Sequence, residues 1–261
     1  MMKIANRITR MLPSMVTLGN TACGFLAVAY IAEERFLAAA YMILLAMIFD
    51  ALDGQVARLT RQASDFGEQL DSLSDIITFG VAPAFLVKVF VLMESSLFKP
   101  KVAWLLSALY CICAVIRLAR FNVENSADES AHQTFKGLPT PAAAGTIAGL
   151  VIAHETLSDS GYALLNILPN LLPLIAAGLG LLMVSRITYP HAISRLLHGS
   201  PSVLDFLPYI VLIALACVAH EVAIAAGFTA YALSGPMRIL LSRMHLASED
   251  FSGDKNRSFR E

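Results

Sequence analysis

The sequence predicts an all-α membrane protein, a polytopic transmembrane helix bundle with about eight spans. Hydrophobic residues make up 57% of the 261 positions and charged residues only 15%, which leaves too little polar surface for a soluble protein of this length. The apolar residues also fall into runs of about 18 to 22 residues, which is the length a helix needs to cross a bilayer core of roughly 30 Å. Both observations predict one membrane domain over residues 1–244, followed by a polar tail at 245–261.

The predicted spans are residues 12–31, 36–56, 74–93, 102–119, 138–154, 162–184, 203–219 and 221–241. Only His220 and Glu221 separate the last two, so a re-entrant or tight helical hairpin fits that stretch as well. Before the first span, residues 2–11 place apolar side chains on one face and basic ones elsewhere, which predicts an N-terminal interfacial helix. The tail is polar and mixed in charge, and this composition is typical of disordered segments.

The basic residues predict how the chain is oriented in the membrane. Most of the 19 Lys and Arg residues fall on one side of the predicted spans, the side that also carries both termini. By the positive-inside rule, that side is the cytoplasmic face of the cell membrane. The net charge is −1 and no dense basic block occurs, so no nucleic-acid partner is predicted.

Four aspartates interrupt the apolar pattern between the second and third predicted spans. The first group is Asp50, Asp53, Gly54, Ala57 and Arg58, spaced D-x-x-D-G-x-x-A-R, and the second is Gly67, Asp71 and Asp75, spaced G-x-x-x-D-x-x-x-D. On a helix, residues three and four apart share a face, so each group presents two carboxylates on one stripe. If the two helices pack side by side, all four carboxylates approach a common point.

The negative charge of such a cluster must be neutralised by a bound group, because placing one aspartate deep in a bilayer costs roughly 2.5 to 3.5 kcal/mol of free energy. Hard oxygen donors of this kind favour Mg²⁺, Mn²⁺ or Ca²⁺ over zinc or copper. Gly54, Ala57 and Gly67 are small and leave room for a phosphate or a ligand backbone beside the metal. The pattern therefore predicts a catalytic metal centre with an open wall.

The two groups together resemble the signature of the CDP-alcohol phosphotransferases, membrane enzymes that transfer a phosphatidyl or similar group from a CDP-linked donor to an alcohol. Within this family the chain is most similar to the bacterial-type phosphatidylserine synthases. The stretches that carry this narrower resemblance are residues 12–24, 117–122, 135–141 and 234–236. The resemblance implies CDP-diacylglycerol and L-serine as substrates, release of CMP, one or two Mg²⁺ or Mn²⁺ ions, surrounding membrane lipid and a homodimer.

The resemblance also implies roles for individual residues. Asp50, Asp53, Asp71 and Asp75 would bind metal, and Asp75 would in addition accept the proton of the attacking hydroxyl. The residues expected to contact the CDP moiety are Asn20, Gly54, Ala57, Arg58 and Gly67, and those expected to contact phosphate or serine are Arg117, Arg120, Asn122 and Lys136.

Some of these residues have a second interpretation in the sequence alone. Arg117 and Arg120 lie three apart, so both face one side of a helix and could bind phosphate or carboxylate. They could equally anchor the end of the span at the membrane interface. Asn20 lies inside a span, where its amide needs a hydrogen bond from a neighbouring helix or from a ligand.

Two other functions fit part of the pattern. One is a sister enzyme with another acceptor such as glycerol 3-phosphate, although a phosphorylated acceptor calls for more cationic residues. The other is a divalent-cation transporter, which would carry acidic residues across the membrane and an inverted repeat. The aspartates cluster at one end and no second half mirrors them, which disfavours transport. The sequence does not decide whether the phosphatidyl group is transferred directly or through a covalent phosphatidyl-enzyme. Direct transfer is the simpler expectation because no nucleophilic side chain stands out.

Overall fold

The computed structural model describes the backbone of residues 2–60, 65–95, 99–127, 137–158, 163–189 and 220–257, and the side chains of residues 14–56, 66–95, 99–123, 137–158, 167–189 and 221–241. All regular elements in these ranges are helical. In chain order they are α1 (Met2–Ala32), α2 (Phe36–Thr60), α3 (Asp65–Asp75), a π-helical segment (Ile76–Val81), α4 (Ala82–Glu94), α5 (Pro100–Ala127), α6 (Thr140–Leu157), α7 (Ala163–Val184) and α8 (His220–Arg257).

The prediction of an all-α polytopic bundle is confirmed. Within the described residues, six stretches are long and apolar enough to cross a membrane: 14–32, 36–56, 66–94, 100–123, 167–184 and 221–241. The predicted span at 203–219 lies outside the described residues. The predicted span at 138–154 corresponds to α6, which is not among the six because Gly, Thr and a C-terminal His154-Glu155 pair lower its hydropathy. Most of α6 is buried by other helices, so it needs less hydropathy than a lipid-facing helix.

Both ends of the chain differ from the sequence expectation. Residues 2–11 are the beginning of α1, so the predicted interfacial segment is continuous with the first span and is not a separate helix. At the other end, α8 continues to Arg257 and includes most of the stretch predicted as a disordered tail. Between 245 and 257 the only Gly or Pro is Gly253, so little in that stretch opposes a helix. A domain boundary after residue 244 remains a prediction.

The third spanning stretch is one continuous rod made of α3, the π-helical segment and α4, running from residue 66 to 94. The π-helical segment begins directly after Asp75. Its backbone is held by α5, since the buried Tyr110 hydroxyl donates a hydrogen bond to the Phe79 carbonyl oxygen at 2.9 Å. Single π-helical turns often mark functional positions, and this one sets how the aspartate face of α3 is turned relative to α4.

Gly24 lets α1 approach the π-helical segment closely. A Cβ on Gly24 would lie 3.1 Å from Thr78 Cα and would collide with the Thr78 hydroxyl. We expect Gly24→Ala to destabilise the protein by about 1 to 3 kcal/mol, because α1 and the segment must separate to relieve this overlap. Thermal unfolding in detergent measures the effect. The matched control is Gly178→Ala on α7, where no described atom lies within 4 Å of the added carbon. Equal melting temperatures for the two variants would contradict the expectation.

Candidate active site

Three of the four aspartates come together, Asp50 and Asp53 from α2 and Asp71 from α3. Single carboxylate oxygens of Asp50, Asp53 and Asp71 all lie within 4.8 Å of one another. Asp53 is buried, and its Oδ2 has no hydrogen-bond partner among the described residues; the same holds for Asp71 Oδ1. Buried anionic oxygens without donors repel one another and are costly, so this arrangement fits a bound divalent cation. An all-oxygen donor set suits Mg²⁺ or Mn²⁺.

Asp75 lies one helical turn beyond Asp71 and stands apart from the other three. Its Oδ1 accepts a hydrogen bond from Asn20 Nδ2 at 3.2 Å, and both side chains are buried. Asn20 Oδ1 has no partner among the described residues. The Asn20 amide therefore orients Asp75, and its oxygen is still available to accept a hydrogen bond from a ligand. Asp75 supplies the hydrogen-bond partner on a neighbouring helix that a polar residue inside the first span needs.

A set of small hydroxyl side chains joins α1 to α3 around this pair. The Thr21 hydroxyl donates to Ser74 Oγ at 2.9 Å, and the Ser74 hydroxyl donates to the Thr17 carbonyl oxygen at 3.3 Å. One turn further, the Thr78 hydroxyl donates to the Asn20 carbonyl oxygen at 3.3 Å. The sequence pattern did not single out these residues. Their signal is a set of small polar side chains three or four residues apart, Thr17 and Thr21 on α1 and Ser74 and Thr78 on the third spanning stretch.

The side chains of Arg117 and Arg120 lie on the same side of α5 but make different contacts. Arg117 Nη1 donates to Thr140 Oγ1 at 3.0 Å, and its guanidinium group interacts electrostatically with Asp75 and Asp50. Arg120 Nη1 instead donates to the carbonyl oxygen of Val184, the last residue of α7, at 3.0 Å. Arg117 therefore faces the aspartates. The contact of Arg120 is with the end of a neighbouring helix, and any ligand role for it remains a prediction.

Asn122 lies two residues beyond Arg120 on α5 and reaches α3 beside Asp71. Its Nδ2 donates to Ser72 Oγ at 2.9 Å, and the Ser72 hydroxyl lies 3.1 Å from Asn122 Oδ1. Ser72 follows Asp71 directly in the chain. Asn122 thus fixes the helix that carries Asp71.

The remaining predicted site residues surround the cluster or lie outside the described part. A Cβ on Gly54 would meet no described atom within 4 Å, so the described residues leave space beside the aspartates of α2. Gly67 lies on α3, one turn before Asp71. Ala57 and Arg58 belong to α2, but their side chains lie outside the described residues, as does Lys136 altogether.

The chain after Lys136 is anchored at the end of α7. The Gly137 N–H donates to the Ile187 carbonyl oxygen at 2.8 Å, and the Leu138 N–H donates to the Leu182 carbonyl oxygen at 3.1 Å. Gly137 has φ +89° and packs against the Met183 carbonyl oxygen, so a side chain would be strained and would also collide there. This fixes the start of α6, where Thr140 receives the hydrogen bond from Arg117.

Comparison with known proteins matches most of this architecture. A family model described as CDP-alcohol phosphatidyltransferase matches residues 10–184, which include all four aspartates and end before α8. The CDP-diacylglycerol–serine O-phosphatidyltransferase of Bacillus subtilis is 34% identical over 180 residues, covering 69% of this chain and 90% of the relative. The protein of the same name from Helicobacter pylori is 36% identical over 179 residues, covering 69% and 71%. That of Methanocaldococcus jannaschii is 37% identical over 176 residues, covering 67% and 71%.

Proposed function

Because the chain belongs to the CDP-alcohol phosphatidyltransferase family, we propose that it is a phosphatidylserine synthase, which transfers the phosphatidyl group of CDP-diacylglycerol to L-serine and releases CMP. The names of the relatives support both the donor and the acceptor. The observation that carries the chemistry is the group of Asp50, Asp53 and Asp71, in which buried oxygens lack donors among the described residues.

The proposed cofactor is Mg²⁺ or Mn²⁺, as one or two ions held by Asp50, Asp53 and Asp71, with Asp75 at the edge of the site. When bound, the metal neutralises charge on the two phosphates of the donor and on the departing CMP. Gly54 lies one helical turn after Asp50 on α2, and there the phosphates can approach without meeting a side chain of the described residues. Asn20, Ala57, Arg58 and Gly67 complete the proposed contacts to the CDP moiety.

Asp75 is the proposed proton acceptor in a direct transfer. The serine hydroxyl oxygen forms a bond to the phosphorus of the phosphatidyl group, the bond from that phosphorus to the bridging oxygen breaks, and the bonding electrons leave with CMP. The hydroxyl proton passes to Asp75, which the Asn20 amide holds in place at 3.2 Å. The hydroxyl network between α1 and α3 ties Ser74, the residue before Asp75, to α1.

The serine carboxylate is proposed to bind Arg117, whose guanidinium group already faces the aspartates and spends only one of its donors on Thr140 in the described contacts. Asn122 and Lys136 are proposed as further contacts to phosphate or serine. Arg120 is proposed to contact phosphate or serine with the guanidinium donors that do not bind the Val184 carbonyl oxygen. A phosphorylated acceptor such as glycerol 3-phosphate is the alternative. Its phosphate would bring additional negative charge that the same pocket would have to balance.

The chain is a membrane protein, and its setting is proposed from the distribution of charge. Most basic residues fall on the side of the predicted spans that also carries both termini and the aspartate site. By the positive-inside rule, we place this side in the cytoplasm and the protein in the cell membrane. Residues 1–244 form the proposed membrane domain. A homodimer is proposed by analogy with the family.

The test is CMP release by the detergent-purified full chain given CDP-diacylglycerol and Mn²⁺ or Mg²⁺. We expect release that depends on serine, with little release when glycerol 3-phosphate replaces serine or when no acceptor is added. Release with glycerol 3-phosphate alone would keep the family and overturn the acceptor. No release with any acceptor would overturn the synthase and favour the cation transporter.

A further inference from the structure

A largely apolar cavity of about 450 Å³, wide open to the protein surface, lies between α2, the start of α6, and α8. Its walls include Met47 from α2, Pro139 and Pro141 from the start of α6, and Gly227 and Phe228 from α8. The volume falls within the range of ligand pockets, roughly 300 to 1,000 Å³. Ala142 and Tyr231 also line it, and among these described residues only the Tyr231 hydroxyl is polar and none is an acidic or basic residue, so the cavity suits a hydrocarbon ligand.

The wall formed by α8 is held in register by small residues of α6. A Cβ on Gly145 would lie 2.6 Å from the Phe228 ring, and one on Gly149 would lie 2.9 Å from Ala225 Cα. As numbers rise on α6 they fall on α8, so the two helices run antiparallel. The next turn therefore brings Tyr231 beside the start of α6, where it also lines the cavity.

The same cavity adjoins the aspartate site. Met47 precedes Asp50 by three residues, so the two share a face of α2. Pro139 and Pro141 flank Thr140, which receives the hydrogen bond from Arg117. Tyr231 interacts electrostatically with that guanidinium group. A molecule that occupies the cavity thus has one end close to the reacting phosphates.

We propose that this cavity receives an acyl chain of the donor lipid, and that α8 determines how well long-chain donors bind. The inference rests on the proposed function, because it assumes a CDP-linked diacylglycerol donor. It goes beyond that function because α8 lies after the region that the family model matches. The aspartate site is polar and the adjoining cavity is apolar. This matches a lipid whose head group is polar and whose acyl chains are apolar.

Gly227 allows the cavity to be filled from the protein side. A Cβ at this position meets no described atom within 4 Å, so a larger side chain can enter the cavity without displacing the described structure. We expect Gly227→Leu to raise KM for CDP-dioleoylglycerol about tenfold, since displacing two methylene groups from an apolar site weakens binding by about that factor. In the same variant we expect less than about a twofold change in three quantities, namely KM for the short-chain donor CDP-dihexanoylglycerol, KM for serine and kcat. Gly227→Ala is expected to raise KM for the long-chain donor by an intermediate amount.

Gly178→Leu is the matched control, because Gly178 on α7 also has no described atom near a Cβ and does not line the cavity. It should leave both donors unaffected. Equal changes for long-chain and short-chain donors, or no change in Gly227→Leu, would overturn the inference. Thermal stabilisation by each donor without an acceptor gives a second readout. A wild-type protein stabilised by the long-chain donor but inactive with serine would refute the proposed acceptor and not the cavity.

Discussion

Replacing Asp75 by Asn is expected to lower kcat/KM for serine-dependent CMP release by about a thousandfold. Asn has nearly the same shape as Asp but cannot accept the proton of the attacking hydroxyl. The hydrogen bond to Asn20 can be kept in the variant if either amide presents its oxygen. The fold should therefore survive, and the loss should appear in the chemical step. CMP release with saturating CDP-diacylglycerol and varied serine measures it.

Glu68→Gln provides the control for charge alone. Glu68 is exposed and lies on α3 like Asp75, and its replacement removes one negative charge from the same helix. Activity within about threefold of wild type is expected there. An Asp75→Asn variant that is folded and retains a tenth or more of the wild-type activity would remove Asp75 from the role of proton acceptor.

The positions of the aspartates could be predicted from the sequence because they depend on local periodicity. Spacings of three and four residues put Asp50 with Asp53, and Asp71 with Asp75, on single helix faces, and carboxylates in an apolar setting have few stable alternatives to meeting a cation. The six spans found within the described residues were predictable for the same reason, since length and hydropathy are properties of one segment.

The contacts between helices could not be predicted in this way. Thr21 and Ser74 are 53 residues apart, and nothing in either helix specifies which neighbour it meets. Arg117 and Arg120 have equal standing in the sequence, yet the end of α7 takes the hydrogen bond of Arg120 and leaves Arg117 to face the aspartates. The π-helical turn after Asp75 is likewise set by packing, through the hydrogen bond from Tyr110.

The second large expected effect concerns the three clustered aspartates, and it involves stability as well as activity. At separations up to 4.8 Å, each pair of ionised carboxylates among Asp50, Asp53 and Asp71 repels by about 3.5 kcal/mol or more at an effective dielectric constant of about 20. A divalent cation reverses this repulsion. Adding Mn²⁺ or Mg²⁺ at about a hundredfold excess over Kd is therefore expected to stabilise the wild-type protein by about 2.7 kcal/mol.

Asp53→Asn should separate repulsion from metal binding. Because Asp53 is buried and its Oδ2 lacks a partner among the described residues, removing its charge is expected to raise the melting temperature measured with EDTA. The same variant should lose most of the increase caused by Mn²⁺ and at least about a hundredfold in CMP release, since one ligand and one countercharge are gone. Glu68→Gln should keep the full increase. A metal-induced shift in Asp53→Asn equal to that of wild type would exclude Asp53 as a ligand, because a cation held elsewhere would not respond to this charge.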